Sequence, residues 1–179
     1  MNHSERFPVA SPADASHPDD PYVALHETLV VIHRAIVTAF ADVIALPPTD
    51  VAAVVTGAEA AGGFLLGHHD AESQMLFPAL RRSGIMRSSD VAFLEGLDRE
   101  HVALHEITER LVAETRAPHP RAAELVLLAK EIATAFGLHI RGEEKGLAPD
   151  TLRTMITRDG LDELARLQNT RQRRDHRSP

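Results

Sequence analysis

Histidine and glutamate residues recur four positions apart at three places in the chain. The pairs are His68 with Glu72, His101 with His105, and His139 with Glu143. Residues four apart on a helix lie on one face, so each pair would direct two polar groups to the same side of a helix. Imidazole and carboxylate groups together suit iron, manganese or zinc. The three pairs therefore predict a metal site.

The number and type of these side chains indicate what the site would hold. His33 adds a seventh group from an earlier segment, and seven are too many for one tetrahedral zinc ion. The chain has no cysteine, which excludes thiolate sites and iron–sulfur clusters. Seven nitrogen and oxygen ligands suit two metal ions bridged by carboxylates, and iron is the usual occupant of such sites in helical bundles.

Four long helices are predicted to position these groups. Apolar residues recur at helical spacing, and turn residues separate the runs. The predicted helices run from about Pro21 to before Pro47-Pro48, from Thr49 or Asp50 to about Ser83, from about Val91 to Thr115, and from about Arg121 to Gly146. Short connections favour an all-α, up-down-up-down antiparallel four-helix bundle, with a short extra helix at the C-terminus.

Local composition predicts further features of these segments. The second helix carries Gly57, Gly62, Gly63 and Gly67, which we expect to allow a close helix contact or a kink. Ser88, Ser89 or Asp90 is expected to cap the third helix. Residues 1–20 read as a disordered arm, 21–150 as the bundle, and 151–179 as a short helix, broken at Asp159-Gly160, with a basic tail.

The chain also contains an internal repeat. The segments that start at His68 and His139 each have Glu four positions on, Leu eight on and Pro ten on. His33 and His105 occupy comparable places in the helices that precede them. The bundle is therefore interpreted as two similar helix pairs that build one paired metal site.

Charge and hydropathy bound the partners and the location. A formal charge of −7 argues against a nucleic-acid-binding domain. The N-terminus lacks a basic segment followed by an apolar stretch, so no signal peptide is expected. No apolar run is expected to span a bilayer. These features predict a cytoplasmic protein without a membrane partner, and they leave the oligomeric state open.

Taken together, these residues resemble the hemerythrin and HHE cation-binding family over about residues 22–150. The resemblance rests on the spacing above and on the string from His68-His69 to Leu76-Phe77-Pro78-Ala79-Leu80. It implies two irons joined by an oxo or hydroxo bridge. The five imidazole ligands that it implies are His33, His68, His101, His105 and His139.

The resemblance leaves three positions open. Glu72 would bridge the irons, together with either Glu143, which matches the internal repeat, or Glu144, which matches oxygen-carrying relatives. His26 lies two turns before His33 and is an alternative to it, although the repeat favours His33. His69 lies about 100° around the helix from His68 and is interpreted as a supporting or exposed residue.

Counting bonds around two six-coordinate irons leaves one position open for a small ligand. We therefore expect a protein that binds or decomposes dioxygen, hydrogen peroxide or nitric oxide. Turnover of peroxide in the manner of a catalase, or of nitric oxide, would make it an enzyme. The alternative is a reversible oxygen-binding or iron-sensing module. Repair of iron–sulfur clusters ranks lower, because relatives with that role carry a cysteine and this chain has none.

Overall fold

Seven α-helices form the described part of the chain. The computed structural model describes residues 20–175, and side chains up to residue 167. The helices are α1 (Pro21–Ala45), α2 (Val51–Ala71), α3 (Phe77–Arg82), α4 (Ser88–Thr115), α5 (Ala122–Gly146), α6 (Pro149–Met155) and α7 (Arg158–Asp175). Helix accounts for 86% of the described residues, which contain no strand. The all-helical prediction is confirmed, whereas the predicted N-terminal arm lies outside the described residues, apart from residue 20.

Local signals explain where the long helices begin. The Asp20 carboxylate accepts a hydrogen bond from the Tyr22 amide, and Pro21 occupies the first turn of α1, where its missing N–H costs nothing. Asp50 caps α2 in the same way by accepting from the Ala53 amide. At α4 the Asp90 carboxylate accepts from the Arg87 amide, so the helix begins before Asp90, which stabilises its first turn.

The second long helix contains a π-helical turn. Residues Glu72–Leu76 link α2 to α3, and the Phe77 amide donates to the carbonyl of Glu72 five residues earlier. Pro78 follows directly, and a proline has no amide proton to continue the α-helical pattern. The irregularity therefore lies next to the proline, not at the glycines. Gly62 does allow a close approach, because a Cβ there would meet Val112 Cγ2 at 2.9 Å. Gly63 and Gly67 have no such neighbour.

The four long helices enclose two apolar clusters with a polar layer between them. α1 and α4 each pack against both α2 and α5. Along every long helix a residue of one apolar cluster precedes the polar layer and a residue of the other follows it. The flanking pairs are Leu29 and Ile36, Leu65 and Leu76, Leu97 and Leu104, and Phe136 and Leu147. The polar residues between them thus lie at one level of the molecule.

The last two helices complete the second apolar cluster. Leu152, Met155, Ile156, Leu161 and Leu164 are buried against residues of α1, α3 and α4. The Tyr22 hydroxyl donates to the Ile156 carbonyl at 3.1 Å. The predicted break at Asp159-Gly160 is wrong, since the chain leaves the helix at Ile156–Thr157 and resumes at Arg158. The Thr157 hydroxyl accepts from the Gly160 amide and so starts α7 earlier than the glycine suggests.

Two helical stretches meet the length and composition of a membrane span. They are Pro21–Ala45, with a mean hydropathy of 1.8, and Val51–Arg82, with 1.3. By this measure the expectation that no apolar run is long enough is wrong. The core helix of a soluble protein meets the same test, and both stretches contribute buried histidines to the polar layer. The absence of a membrane partner stays a prediction.

Candidate metal centre

The polar layer brings together side chains from all four long helices. Each member is at most 6% exposed. α1 supplies His33, α2 and the π-helical turn supply His68, His69 and Glu72, α4 supplies His101, and α5 supplies His139 and Glu143. Five imidazoles and two carboxylates therefore meet in the interior, which is the composition that the sequence predicted with one change of member.

Each carboxylate lies between two imidazoles from different helices. Glu143 Oε2 lies 3.2 Å from His33 Nε2 and 3.4 Å from His139 Nε2. Glu72 Oε1 lies 3.3 Å from His68 Nε2, and Glu72 Oε2 lies 3.5 Å from His101 Nε2. A carboxylate with imidazoles on both sides can bridge two metal ions, one beside each imidazole.

The potential ligand atoms fall into two groups. Within each group the atoms lie within 4.8 Å of one another. One group consists of His33, His68, Glu72 and Glu143, and the other of His69, His101 and His139. His101 Nε2 and His139 Nε2 are only 3.2 Å apart. The two groups thus mark two adjacent positions for a cation, and the two carboxylates lie where these positions meet.

Nine buried nitrogen and oxygen atoms in this region lack a hydrogen-bond partner. They include both oxygens of Glu72 and of Glu143, both ring nitrogens of His69, and Nε2 of His33, His68 and His105. Several of them are near one another, but those contacts lack the geometry of a hydrogen bond. Buried polar atoms normally have a hydrogen-bond partner, and burying one without a partner costs about 1–3 kcal/mol. Metal ions at the two positions would satisfy most of these atoms, so the residues fit such a group.

Burial shifts the pKa values of the imidazoles and the carboxyls in this layer in opposite directions. It lowers the pKa of His68 to about 3 and that of His101 to about 4, so both imidazoles stay neutral with a lone pair free. Burial and the neighbouring Glu143 raise the pKa of Glu72 well above its ordinary value. Burial alone would also raise the pKa of Glu143, but contacts with His139 and His33 lower it. A bound cation would favour the charged form of both carboxylates.

Outer hydrogen bonds orient three of the imidazoles. His139 Nδ1 donates to Glu100 Oε2 at 2.8 Å, and His33 Nδ1 donates to Glu144 Oε1 at 2.9 Å. Ser73 Oγ lies 3.1 Å from His101 Nδ1. A proton held at Nδ1 leaves the Nε2 lone pair directed into the layer, as metal-binding histidines require.

The structure separates the two alternatives at the end of α5. Glu143 is fully buried within the layer, whereas the Glu144 side chain is 31% exposed and lies behind His33. The two residues are about 100° apart around the helix, so only one of them can face inward. Glu144 therefore supports an imidazole, and Glu143 lies among the potential ligand atoms.

The two alternatives on α1 are separated as well. His33 lies within the layer, while His26 Nδ1 donates to the carbonyl of Leu147 at 3.2 Å and is half-buried. His26 thus anchors the end of α5 against α1. The preference for His33 that came from the internal repeat agrees with this placement.

His69 and His105 are where the structure and the sequence interpretation differ. His69 is fully buried in the layer, and its ring stacks on His101 with 4.1 Å between centroids. His105 is half-buried and belongs to neither ligand group. The buried position of His69 could have been recognised, because Gly62, His69 and Leu76 follow one another at seven-residue spacing, and that stripe faces inward.

Comparison with known proteins agrees with this composition. The sequence model of the hemerythrin HHE cation-binding domain matches residues 24–150. Neither the curated proteins nor the solved structures contain a match to the chain. The family match covers all four helices that supply the polar layer and most of the chain. The chain belongs to the hemerythrin HHE cation-binding domain family, and its helical domain binds metal cations.

Proposed function

We propose that this protein holds two iron ions in the polar layer and uses them to bind or decompose a small oxidant. The observation that carries the proposal is the arrangement of Glu72 and Glu143, each between two imidazoles and without a hydrogen bond. Bridging carboxylates with nitrogen ligands on either side suit a pair of irons. Such a pair, joined by an oxo or hydroxo group, would supply an open coordination position for the oxidant.

The surroundings of the layer limit the size of that oxidant. Phe136 lies with its ring centroid 5.8 Å from that of His33 and 6.1 Å from that of His139, and Phe77 stacks on His101 at 5.3 Å. Both phenylalanines are fully buried, so the layer has apolar walls on two sides. Dioxygen, nitric oxide and hydrogen peroxide are small enough to enter such a site, and bulky substrates are not. The walls also keep bulk water from the ligands.

The residues around the ligands hold protons at defined atoms. Glu100 and Glu144 keep the Nδ1 protons of His139 and His33 on the outer side of the rings. Their side chains reach solvent, with 55% and 31% exposure respectively. The imidazoles are therefore held in one tautomer and orientation while their inner nitrogens remain free for the cations.

Metal content and reactivity test the proposal directly. Protein purified without added metal should contain about two irons per chain and show near-ultraviolet bands that change with azide or peroxide. His68→Ala should abolish iron binding, while His26→Ala, a histidine outside the layer, should retain it. Rapid turnover of peroxide would identify an enzyme, and a dioxygen adduct that releases its ligand unchanged would identify a carrier. Full iron content in His68→Ala would refute the site.

Two further proposals concern the chain as a whole. We infer that the four long helices alternate up and down, because their connections are short and each of α1 and α4 packs against both α2 and α5. We also propose a cytoplasmic location, and the formal charge of −7 favours partners other than nucleic acids.

A further inference from the structure

We infer that His69, and not His105, supplies the third imidazole at the position shared by His101 and His139. This inference rests on the proposed two-metal function. It departs from the ligand set that the family resemblance implies, in which both histidines of the His101/His105 pair bind metal. The departure concerns residues of this chain only, and it gives the two histidines different roles.

The position of His69 matches that of a ligand in three respects. Its ring is fully buried, and neither ring nitrogen has a hydrogen-bond partner. One ligand atom each from His69, His101 and His139 fall within 4.8 Å of one another. A buried histidine that serves only as packing normally satisfies at least one nitrogen. His69 satisfies neither, so its placement is explained by an ion.

His105 lies on the same helix as His101 but one turn farther along. Its ring lies nearly parallel to that of His69, at 11° and with 5.4 Å between centroids, whereas the His69 and His101 rings are 4.1 Å apart. His105 belongs to neither of the two groups whose ligand atoms all lie within 4.8 Å of one another. The three rings therefore stack, and His69 and His101 are the two that reach the cation position. His105 packs against the His69 ring and so helps to fix its orientation.

The assignment makes the two cation positions chemically different. One position is lined by the three imidazoles of His69, His101 and His139. The other is lined by His33 and His68 and groups with both carboxylates, Glu72 and Glu143, although each carboxylate also approaches one imidazole of the first position. Carboxylates favour hard cations, and imidazoles favour metals such as zinc, copper, iron and nickel. The two ions should consequently bind in two separable steps, and loss of His69 should affect only one of them.

Anaerobic titration with Co²⁺ tests the assignment, with His105→Ala as the matched control for His69→Ala. Wild type should bind two equivalents. His69→Ala should keep one equivalent and weaken the other by more than about 100-fold, beyond the range typical for a residue that only hydrogen-bonds a ligand. His105→Ala should keep both equivalents. Two tightly bound equivalents in His69→Ala, or loss of one in His105→Ala, would overturn the inference.

A measurement on the unmodified protein guards against variants that fail to fold. In protein loaded with Zn²⁺, the ring nitrogens of metal-bound histidines change their ¹⁵N chemical shift. A ring nitrogen of His69 should move on loading, and those of His105 should not. The reverse pattern would refute this inference while leaving the two-metal site intact. Failure of wild type to bind two ions would refute the proposed function and this inference together.

Discussion

Removal of the metal should lower the free energy of unfolding, and the number of unpartnered buried atoms gives a minimum for this loss. The nine unpartnered atoms in and beside the polar layer would cost about 1–3 kcal/mol each if they stayed dry. That total reaches or exceeds the roughly 5–15 kcal/mol by which a domain is normally stable. The metal-free layer must therefore open locally and admit water. The four carboxylate oxygens alone, at the lower value, correspond to about 4 kcal/mol.

Urea unfolding, followed by far-ultraviolet circular dichroism, measures this loss. Protein with metal and protein dialysed against a chelator should differ by at least about 4 kcal/mol in unfolding free energy. For a chain of this length that is roughly 8–16 °C in melting temperature. Amide hydrogen exchange should accelerate in the last turn of α2 and in the π-helical turn, where the ligands lie. Amides around Val54 and Ala58, in the apolar cluster that contains Ile36 and Phe136, should change little.

A surface variant supplies the control for this comparison. Arg116 pairs with Glu59 at 3.3 Å, and both side chains are more than half exposed. Arg116→Ala should change the unfolding free energy by less than about 1 kcal/mol, and by the same amount with and without metal. The reasoning fails if chelation leaves wild-type stability unchanged within about 1 kcal/mol, because the buried atoms would then need no metal.

Four more substitutions have expected effects that follow from the surroundings of each residue. Gly146→Ala should lower the unfolding free energy by about 1–3 kcal/mol, because the new Cβ would overlap the Phe93 ring. Gly142 has no neighbour within 4 Å of an added Cβ, so Gly142→Ala should raise the unfolding free energy by up to about 1 kcal/mol. The midpoints of urea unfolding measure both changes. Glu72→Gln should bind no iron pair, yet its metal-free form should be more stable than metal-free wild type at pH 8. Burial raises the pKa of the Glu72 carboxyl, so the stability that wild type gains from the protonated carboxyl is complete below about pH 4.5 and is lost as the pH rises through the raised pKa. If the stability advantage of metal-free Glu72→Gln over metal-free wild type were larger at pH 5 than at pH 8, this pH dependence would be wrong. Glu100→Gln should weaken metal binding by about 10–100-fold, since the imidazole it orients loses a charged acceptor, and unchanged affinity in a chelator competition would refute that role.

The starts of the long helices and the burial of most candidate ligands could be predicted because both depend on local signals. Pro21, Asp20 and Asp50 mark helix starts through the hydrogen bonds of their own turn. His68 and Glu72, like His139 and Glu143, share a face because four residues make about one turn. The internal repeat compared two such faces and so favoured Glu143 over Glu144, the choice that agrees with the burial of the two side chains.

The roles of His69 and His105 depend on a property that no local signal fixes. Which of two adjacent faces points inward is set by the rotation of a helix about its axis. That rotation depends on packing against three other helices, with contacts such as that of Gly62 with Val112. The π-helical turn likewise depends on how the chain accommodates Pro78 within a packed helix. Sequence periodicity alone could place His69 near the layer but could not assign it to a cation.

The second apolar cluster has a practical consequence for dividing the chain. The family match ends at residue 150, yet a fragment that ended there would lose the side chains of α6 and α7 that cover Leu29, Leu80 and Leu94. Contiguous exposed apolar surface of this kind promotes aggregation. Such a fragment should precipitate or associate on expression, whereas one that extends through Leu164 should stay monodisperse. We therefore expect the smallest well-behaved folding unit to be longer than the segment that carries the candidate metal ligands.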